Sequence, residues 1–312
     1  MDAAALDVVG IGIAPRDITV LIDPLPPADA KGLALDFAES GGGPVPTALV
    51  TLARLGHRCV LGGVVGNDAA GRLVNAGLRS EGVGTQGLVV RDGLATPTSV
   101  ILVESGGRRR VCEWNQRDLP LGPEDLTPLH PLLARCRALL VDARFPEAQI
   151  DAARRAREAG ALVMLDCGHP RPGVDELLSL CDVAILSASY MHTVHGARHD
   201  PAVFLHSLRA RLAPGGLRLA GLTLGPDGCL IVDDDTTAVH VSAPSVDALD
   251  TTGAGDVFHG ALLHELLRGA PAIEAASFAN AAAALSCRAL TGRAPLPREP
   301  EIRSLALRLF TR

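Results

Sequence analysis

Uninterrupted apolar runs recur along the chain: LDVVGIGI (6–13), CVLGGVV (59–65), ALLVD (138–142), ALVMLD (161–166), VAILS (183–187) and RLAGLTL (218–224). Runs of this length without alternation predict strands buried on both faces. Between them TALVTLARLG, DAAGRLVNAGLRSEG, EAQIDAARRAREAG and AVFLHSLRARLA place apolar residues at helical spacing. Three of these end at a glycine, a common stop for a helix. Strands alternating with helices predict a parallel sheet covered on both faces.

Two stretches break the alternation. Residues 16–37 and 96–114 hold short strand-like segments, DITVLIDPL, GLALDFAE, TPTSVILVE and RRRVCEW, the last two around a Gly-Gly turn. Strands without covering helices need another surface. The reading is therefore one α/β domain over 1–312, with these two stretches forming a small β lid inserted in it.

Composition narrows the class. Apolar residues make up 47% and charged residues 21%, as in a well-buried globule. A net charge of −6 argues against an electrostatic grip on nucleic acid or an anionic membrane. The apolar runs are strand-sized, too short to span a bilayer, and the N-terminus lacks a basic leader region, so residence in the cytoplasm is expected. Seven scattered cysteines without CxxC read as buried free thiols. Of 29 lysines and arginines only Lys31 is lysine.

The most chemical stretch is LDTTGAGDVFHGALLHEL (249–266). A Gly253-Ala254-Gly255 turn entering a helix exposes amides without intrahelical partners, at the positive end of the helix dipole. That is a cradle for a phosphate, and Asp256 beside it suits a base for an attacking hydroxyl. The same residues also fit a Gly-rich turn with a capping carboxylate.

DTTGAGDVFHGALL resembles the C-terminal signature of the ribokinase-like (PfkB) carbohydrate kinases. The resemblance continues in SGGGPVPTALVTLARLGHRCVLGGVVGNDAAGRLV (40–74), LTLGPDGCLIV (222–232) and FANAAAALSC (278–287), covering nearly the whole chain in order. It implies a ribokinase-like three-layer sandwich with a mostly parallel central sheet, and ATP-dependent phosphorylation of a primary hydroxyl on a small sugar. It further implies Asp256 as catalytic base, with Gly253, Ala254 and Gly255 as the anion hole. Asp17, Gly42 and Gly43 fall at sugar-binding positions; Thr223, Gly225, Gly228, Thr252 and Asn280 fall at nucleotide positions. ATP with Mg2+ is the implied cofactor, and K+ is left open.

Departures matter. Pro46 replaces the asparagine usual in GGxxxNxA, and SASY puts Ser187 and Tyr190 where the metal-associated N-x-x-E would fall. No residue is therefore assigned as a metal ligand. GGGPVPTALVTLARLG, VDARF and GRAPLP are more similar to the sulfofructose-kinase branch, whose pattern places Lys31 and Arg144 on an anionic sugar tail. Lys31 as a solvated lid residue and Arg144 as a partner of Asp142 or Glu147 is the plainer alternative. Glu113 or Asn115 would also face that tail, and Glu113 would repel it. Fructokinase, ribokinase, nucleoside kinase and sugar-phosphate kinase activities stay open, as does a sugar-binding regulator that has lost turnover.

Remaining features carry less. Gly10 and Gly12 read as packing at a strand end, since Pro15 spoils a dinucleotide fingerprint. His192, His195 and His199 read as a surface turn, and Arg108–Arg110 as a solvated hairpin end that could face the cleft. Trp114 reads as lid packing or a sugar platform. Exposed lid edges predict a homodimer paired through the lid.

Overall fold

The computed structural model describes residues 6–115, 119–233, 237–293 and 298–310. Of the GRAPLP stretch, residues 294–297 lie outside the described residues. Nine strands build the main sheet: β1 (Val8–Ile11), β4 (Cys59–Gly66), β5 (Gly84–Arg91), β8 (Ala138–Val141), β9 (Leu162–Cys167), β10 (Val183–Ser187), β11 (Leu219–Thr223), β12 (Cys229–Val232) and β13 (Val239–Val241). Their order is β13-β12-β11-β10-β9-β8-β1-β4-β5. Strands β11 to β5 run parallel; β12 pairs antiparallel with β11, and β13 antiparallel with β12, so only β12 runs against the rest. The apolar runs fall on these strands, and β5 is an addition that the sequence pattern did not reveal. Its mixed burial, with five small or polar residues in GTQGLVVR, hides the signal.

Alternate strand residues feed two cores. Val9, Ile11, Leu139 and Val141 pack with α3 (His130–Leu133), α4 (Pro146–Glu158), α5 (Val174–Leu178), α6 (Ala188–His195) and α7 (Pro201–Leu212). Val8, Ala138 and Leu140 pack with α1 (Pro44–Arg54), α2 (Ala69–Ser80), α8 (Ala254–Leu267), α9 (Ala272–Ser286) and α10 (Glu299–Phe310). The result is a three-layer sandwich. Pro44 and Pro46 lie in the first turn of α1, where a missing N–H costs nothing. Behind them α1 presses on β1 so closely that a β-carbon on Gly10 would lie 2.5 Å from Val45. Leu49 is fully buried there, and its truncation to alanine is worth about 2–5 kcal/mol. No described helix is long and apolar enough to cross a membrane.

A second sheet has the order β3-β2-β6-β7, from β2 (Arg16–Leu21), β3 (Asp36–Gly41), β6 (Thr98–Val103) and β7 (Arg109–Trp114). It joins the two stretches expected to pair. The pairing register sorts its faces. Asp17, Ser99 and Glu113 share one face; Ile18, Val100 and Cys112 share the other, as do Thr98 and Trp114. Ser99 and Ile101 on the first face are buried, whereas Phe37, Val100 and Trp114 on the second are exposed. Trp114 thus points away from the face carrying Asp17, so it is not a platform in the cleft. Cys112 is likewise exposed, against the expectation that all seven thiols are buried.

The histidine segment also differs from expectation. Ser187 Oγ accepts from Tyr190 N at 3.0 Å and starts α6, so His192 and His195 lie on a helix that stops at Gly196.

Candidate active site

An open α/β sheet presents its polar residues at the C-terminal ends of its parallel strands. Asp142 follows β8 and Asp166 is the penultimate residue of β9; Asp256 in the first turn of α8 lies within electrostatic reach of Asp166.

The turn before α8 is built as the motif suggests. Gly253 has φ +74°, a left-handed conformation suited to glycine, and a β-carbon there would lie 2.6 Å from Gly292 Cα. The first intrahelical bond is Val257 N to Gly253 O at 2.8 Å. The amides of Gly253, Gly255 and Asp256 make no backbone bond among the described residues, while Ala254 N reaches Thr251 O at 3.3 Å. A β-carbon on Gly255 would meet nothing within 4 Å. Internal packing therefore does not demand glycine at 255, whereas an approaching anion would.

The carboxylate of Asp256 accepts no hydrogen bond among the described residues. Burial, with Asp166 nearby, pushes its pKa well above the ordinary 3.8. One turn on, His259 Nδ1 lies 2.6 Å from Gly255 O and 3.2 Å from Asp166 Oδ2. Burial lowers the His259 pKa and favours the neutral ring, which ties the first turn of α8 at Gly255 O to β10, where Nε2 lies 3.3 Å from Ile185 O.

Asp17 comes from β2 on the cleft face of the small sheet and is buried. Gly42 lies flat against it: a β-carbon on Gly42 would strike the carboxylate. Burial raises the Asp17 pKa to about 6, against the opposing pull of Ser99 and Arg293. Gly43 caps α1 against the carbonyl of Ile13.

Arg293 was missed by the sequence reading. Its Nη2 donates to Gly42 O at 2.7 Å and its Nε to Thr47 Oγ1 at 3.3 Å. Burial lowers its pKa to about 10, so it stays charged at neutral pH, with Asp17 and Asp256 as the nearest compensating carboxylates. One guanidinium thus ties the two predicted chemical carboxylates to one site. Its sequence signal is the Gly292-Arg293 pair after α9.

The residues expected at nucleotide positions lie on the β11–β12 turn, in α9 and before α8. Thr223 ends β11, and Leu224 N to Gly228 O (2.8 Å) and Gly228 N to Gly225 O (3.1 Å) close the turn to β12. Asn280 is buried in α9 and donates Nδ2 to Val241 O at 2.8 Å, so its donor fastens β13. Thr252 N is held by Asp250 Oδ1 at 2.8 Å, and its own Oγ1 is buried without a partner.

Other candidates separate. Lys31 is exposed on the β2–β3 connection, with no ion pair among the described residues. The Arg144 guanidinium pairs with Glu113 of the small sheet at 3.5 Å, while its backbone amide donates to Asp142 Oδ1 at 3.0 Å. Arg171, which the sequence reading passed over, adds positive charge beside Arg144 and Glu113. Ser187 and Tyr190 cannot serve a metal: Ser187 Oγ donates to Gly168 O at 2.7 Å and caps α6, and Tyr190 is buried. Asp166 Oδ2, by contrast, is buried without a hydrogen bond, the kind of orphaned acceptor that a hydrated Mg2+ satisfies. The His264, Glu265 and Glu299 group lies at the other end of α8, where Arg303 already bridges both carboxylates at 2.8 and 2.5 Å.

Comparison with known proteins gives the family. The profile of the pfkB family carbohydrate kinases matches residues 5–299. Aminoimidazole riboside kinase of Salmonella typhimurium is 30% identical over 282 residues, 84% of this chain and 86% of the relative. Mouse ribokinase (Mus musculus) is 27% identical over 267 residues, 84% of this chain and 81% of its own. A protein from Agrobacterium tumefaciens provisionally assigned as a ribokinase superposes with a TM-score of 0.87 at 26% identity, covering 99% of this chain and 100% of its own. Arabidopsis thaliana ribokinase, solved with ribose and ATP, shares the fold at a TM-score of 0.79 and 23% identity, covering 97% and 99%. With that match over nearly its full length, and a helix-terminal amide cradle beside an unpaired carboxylate, this chain belongs to the pfkB family of carbohydrate kinases and is an ATP-dependent sugar kinase.

Proposed function

We propose that this kinase transfers the γ-phosphoryl group of ATP to a primary hydroxyl of a ketose whose far end is anionic. The observation carrying the transfer step is the unbonded Gly253, Gly255 and Asp256 amides beside the unpaired Asp256 carboxylate. Asp256 takes the proton of the attacking hydroxyl as its oxygen bonds to phosphorus and the ADP oxygen leaves. The Gly253, Gly255 and Asp256 amides bind the charge on the moving phosphoryl group, and Arg293 adds a fixed positive charge nearby. Asp17, backed by Gly42 and Gly43, accepts from sugar hydroxyls. The 223–228 turn, with Thr252 and Asn280 behind it, takes the nucleotide. When bound, Mg2+ offsets charge on the ATP phosphates, and Asp166 is the carboxylate available to its water shell.

The anionic tail rests on charge. Arg144 and Arg171 lie together beside Glu113 of the small sheet and Asp142 of the main sheet, and a substrate sulfonate or phosphate takes the place of Glu113 on Arg144. Lys31 on the small sheet's long connection adds a further cation when that sheet closes as a lid. The exposed outer face with Phe37, Val100 and Trp114 is the surface on which a second copy pairs. A coupled ADP-release assay over neutral, phosphorylated and sulfonated ketoses, ribose and ribosides, in K+ and in Na+ buffers, tests the reading. Equal kcat/KM for neutral and anionic ketoses would remove the tail assignment.

A further inference from the structure

The tip of the β6–β7 hairpin rests on the loop that leads into the cradle. Gly107 forms an isolated bridge with Asp250. Thr251 Oγ1 donates to Gly107 O at 2.8 Å and accepts from Arg109 Nη1 at 2.5 Å. The same Nη1 donates to Thr251 O at 2.8 Å. Gly107 has φ +73°, and a β-carbon there would lie 3.0 Å from Thr251 Cγ2, so the tip lies flat because it is glycine.

Thr251 is a consequential place to be held. Its carbonyl also receives the Ala254 amide at 3.3 Å, so Arg109 and the cradle share one oxygen. The neighbouring Asp250 fixes the loop from below, accepting from Thr252 N at 2.8 Å and Thr291 N at 2.9 Å. The positive charge of Arg109 is felt at Asp256. Arg109 lies on the face of β7 that carries Glu113, the cleft face, whereas its neighbour Arg110 turns outward to Glu104.

We propose that Arg109 and Thr251 form a latch that sets the phosphoryl cradle only when the small sheet is down over the sugar. Arg109 is a positioning residue: it acts through the Thr251 carbonyl on the 253–256 amides. The latch makes phosphoryl transfer conditional on closure, and closure excludes water as the competing acceptor. The inference rests on reading the 253–256 turn as the phosphoryl cradle.

The test compares Arg109→Ala, Arg109→Lys, Thr251→Val and the double variant Arg109→Ala/Thr251→Val in the full-length enzyme. The readouts are kcat, KM for ATP and sugar, and the ratio of ADP released to sugar phosphate formed. Because Arg109 is exposed, Arg109→Ala is expected to fold with an unchanged Tm. Its kcat should fall about ten- to a hundredfold, the cost of a misplaced group, with KM for ATP within about twofold. The ADP-to-product ratio should rise above one. Lysine should restore part of the rate, and the double variant should be no worse than the poorer single one. Additive losses, a pure KM effect on the sugar, or a ratio that stays at one would overturn the latch. Asp256→Asn separates the two readings: if it abolishes turnover while Arg109→Ala is normal, only the latch fails; if it turns over normally, the cradle reading falls first.

Discussion

Asp17→Asn sets function against stability. The Asp17 carboxyl is buried against Gly42, and its pKa rises from the ordinary 3.8 to about 6. A raised acid pKa means the folded state holds the proton more tightly than the unfolded chain. This contribution to stability is fully present below pH 3.8 and is lost as pH rises through about 6. At about 1.4 kcal/mol per pH unit, the ionised carboxylate costs about 3 kcal/mol at pH 8. Asparagine keeps the shape and removes the charge. The variant should therefore melt about 6 °C above the wild type at pH 8, and the gap should close at pH 4. The ligand-binding face pays the opposite sign: an amide is a poorer acceptor for sugar hydroxyls than a carboxylate, so KM for the sugar should rise about tenfold or more. Differential scanning calorimetry of the ligand-free protein at pH 4, 6 and 8, with sugar kinetics alongside, reads both effects. An equal or lower Tm at pH 8 would refute the burial argument, and an unchanged KM would refute the sugar contact.

Further outcomes follow from the same geometry. Gly255→Ala should fold normally, because its β-carbon meets nothing, yet lose kcat about tenfold or more, since the methyl stands where phosphate approaches. Gly253→Ala should instead lower the Tm, through its positive φ and the 2.6 Å contact with Gly292; thermal melts of the pair make the comparison. Asp256→Asn should reduce kcat by about 10²–10⁴ with little change in KM for ATP, measured by ADP release. Because burial raises the Asp256 pKa, wild-type kcat/KM should climb with pH above the ordinary carboxylate range; a profile flat from pH 5 to 8 would count against it as base. Trp114→Arg should convert a dimer to monomer in sedimentation velocity without loss of fold, since Trp114 is 60% exposed.

Hydrophobic spacing alone determined the layered architecture. Unbroken apolar runs such as VVGI and ALLV have only one way to bury both faces, and the amphipathic runs between them supply the cover. The glycine turn and Asp256 were legible for a similar reason, because backbone amides at a helix start are exposed by local geometry whatever surrounds them. Arg293 and Asp166 were not legible, and of the run Arg108–Arg110 the sequence offered a turn toward the cleft without saying that it is Arg109 that makes it. Each owes its position to contacts between residues far apart in sequence: Arg293 to Gly42 and Thr47, Arg109 to Thr251, Asp166 to His259. Trp114 and Cys112 show the same limit from the other side, since one residue of register in β7 decides whether a side chain meets the cleft or the solvent. Tertiary packing alone could decide which charges converge, because local periodicity carries no information about which strand ends become neighbours.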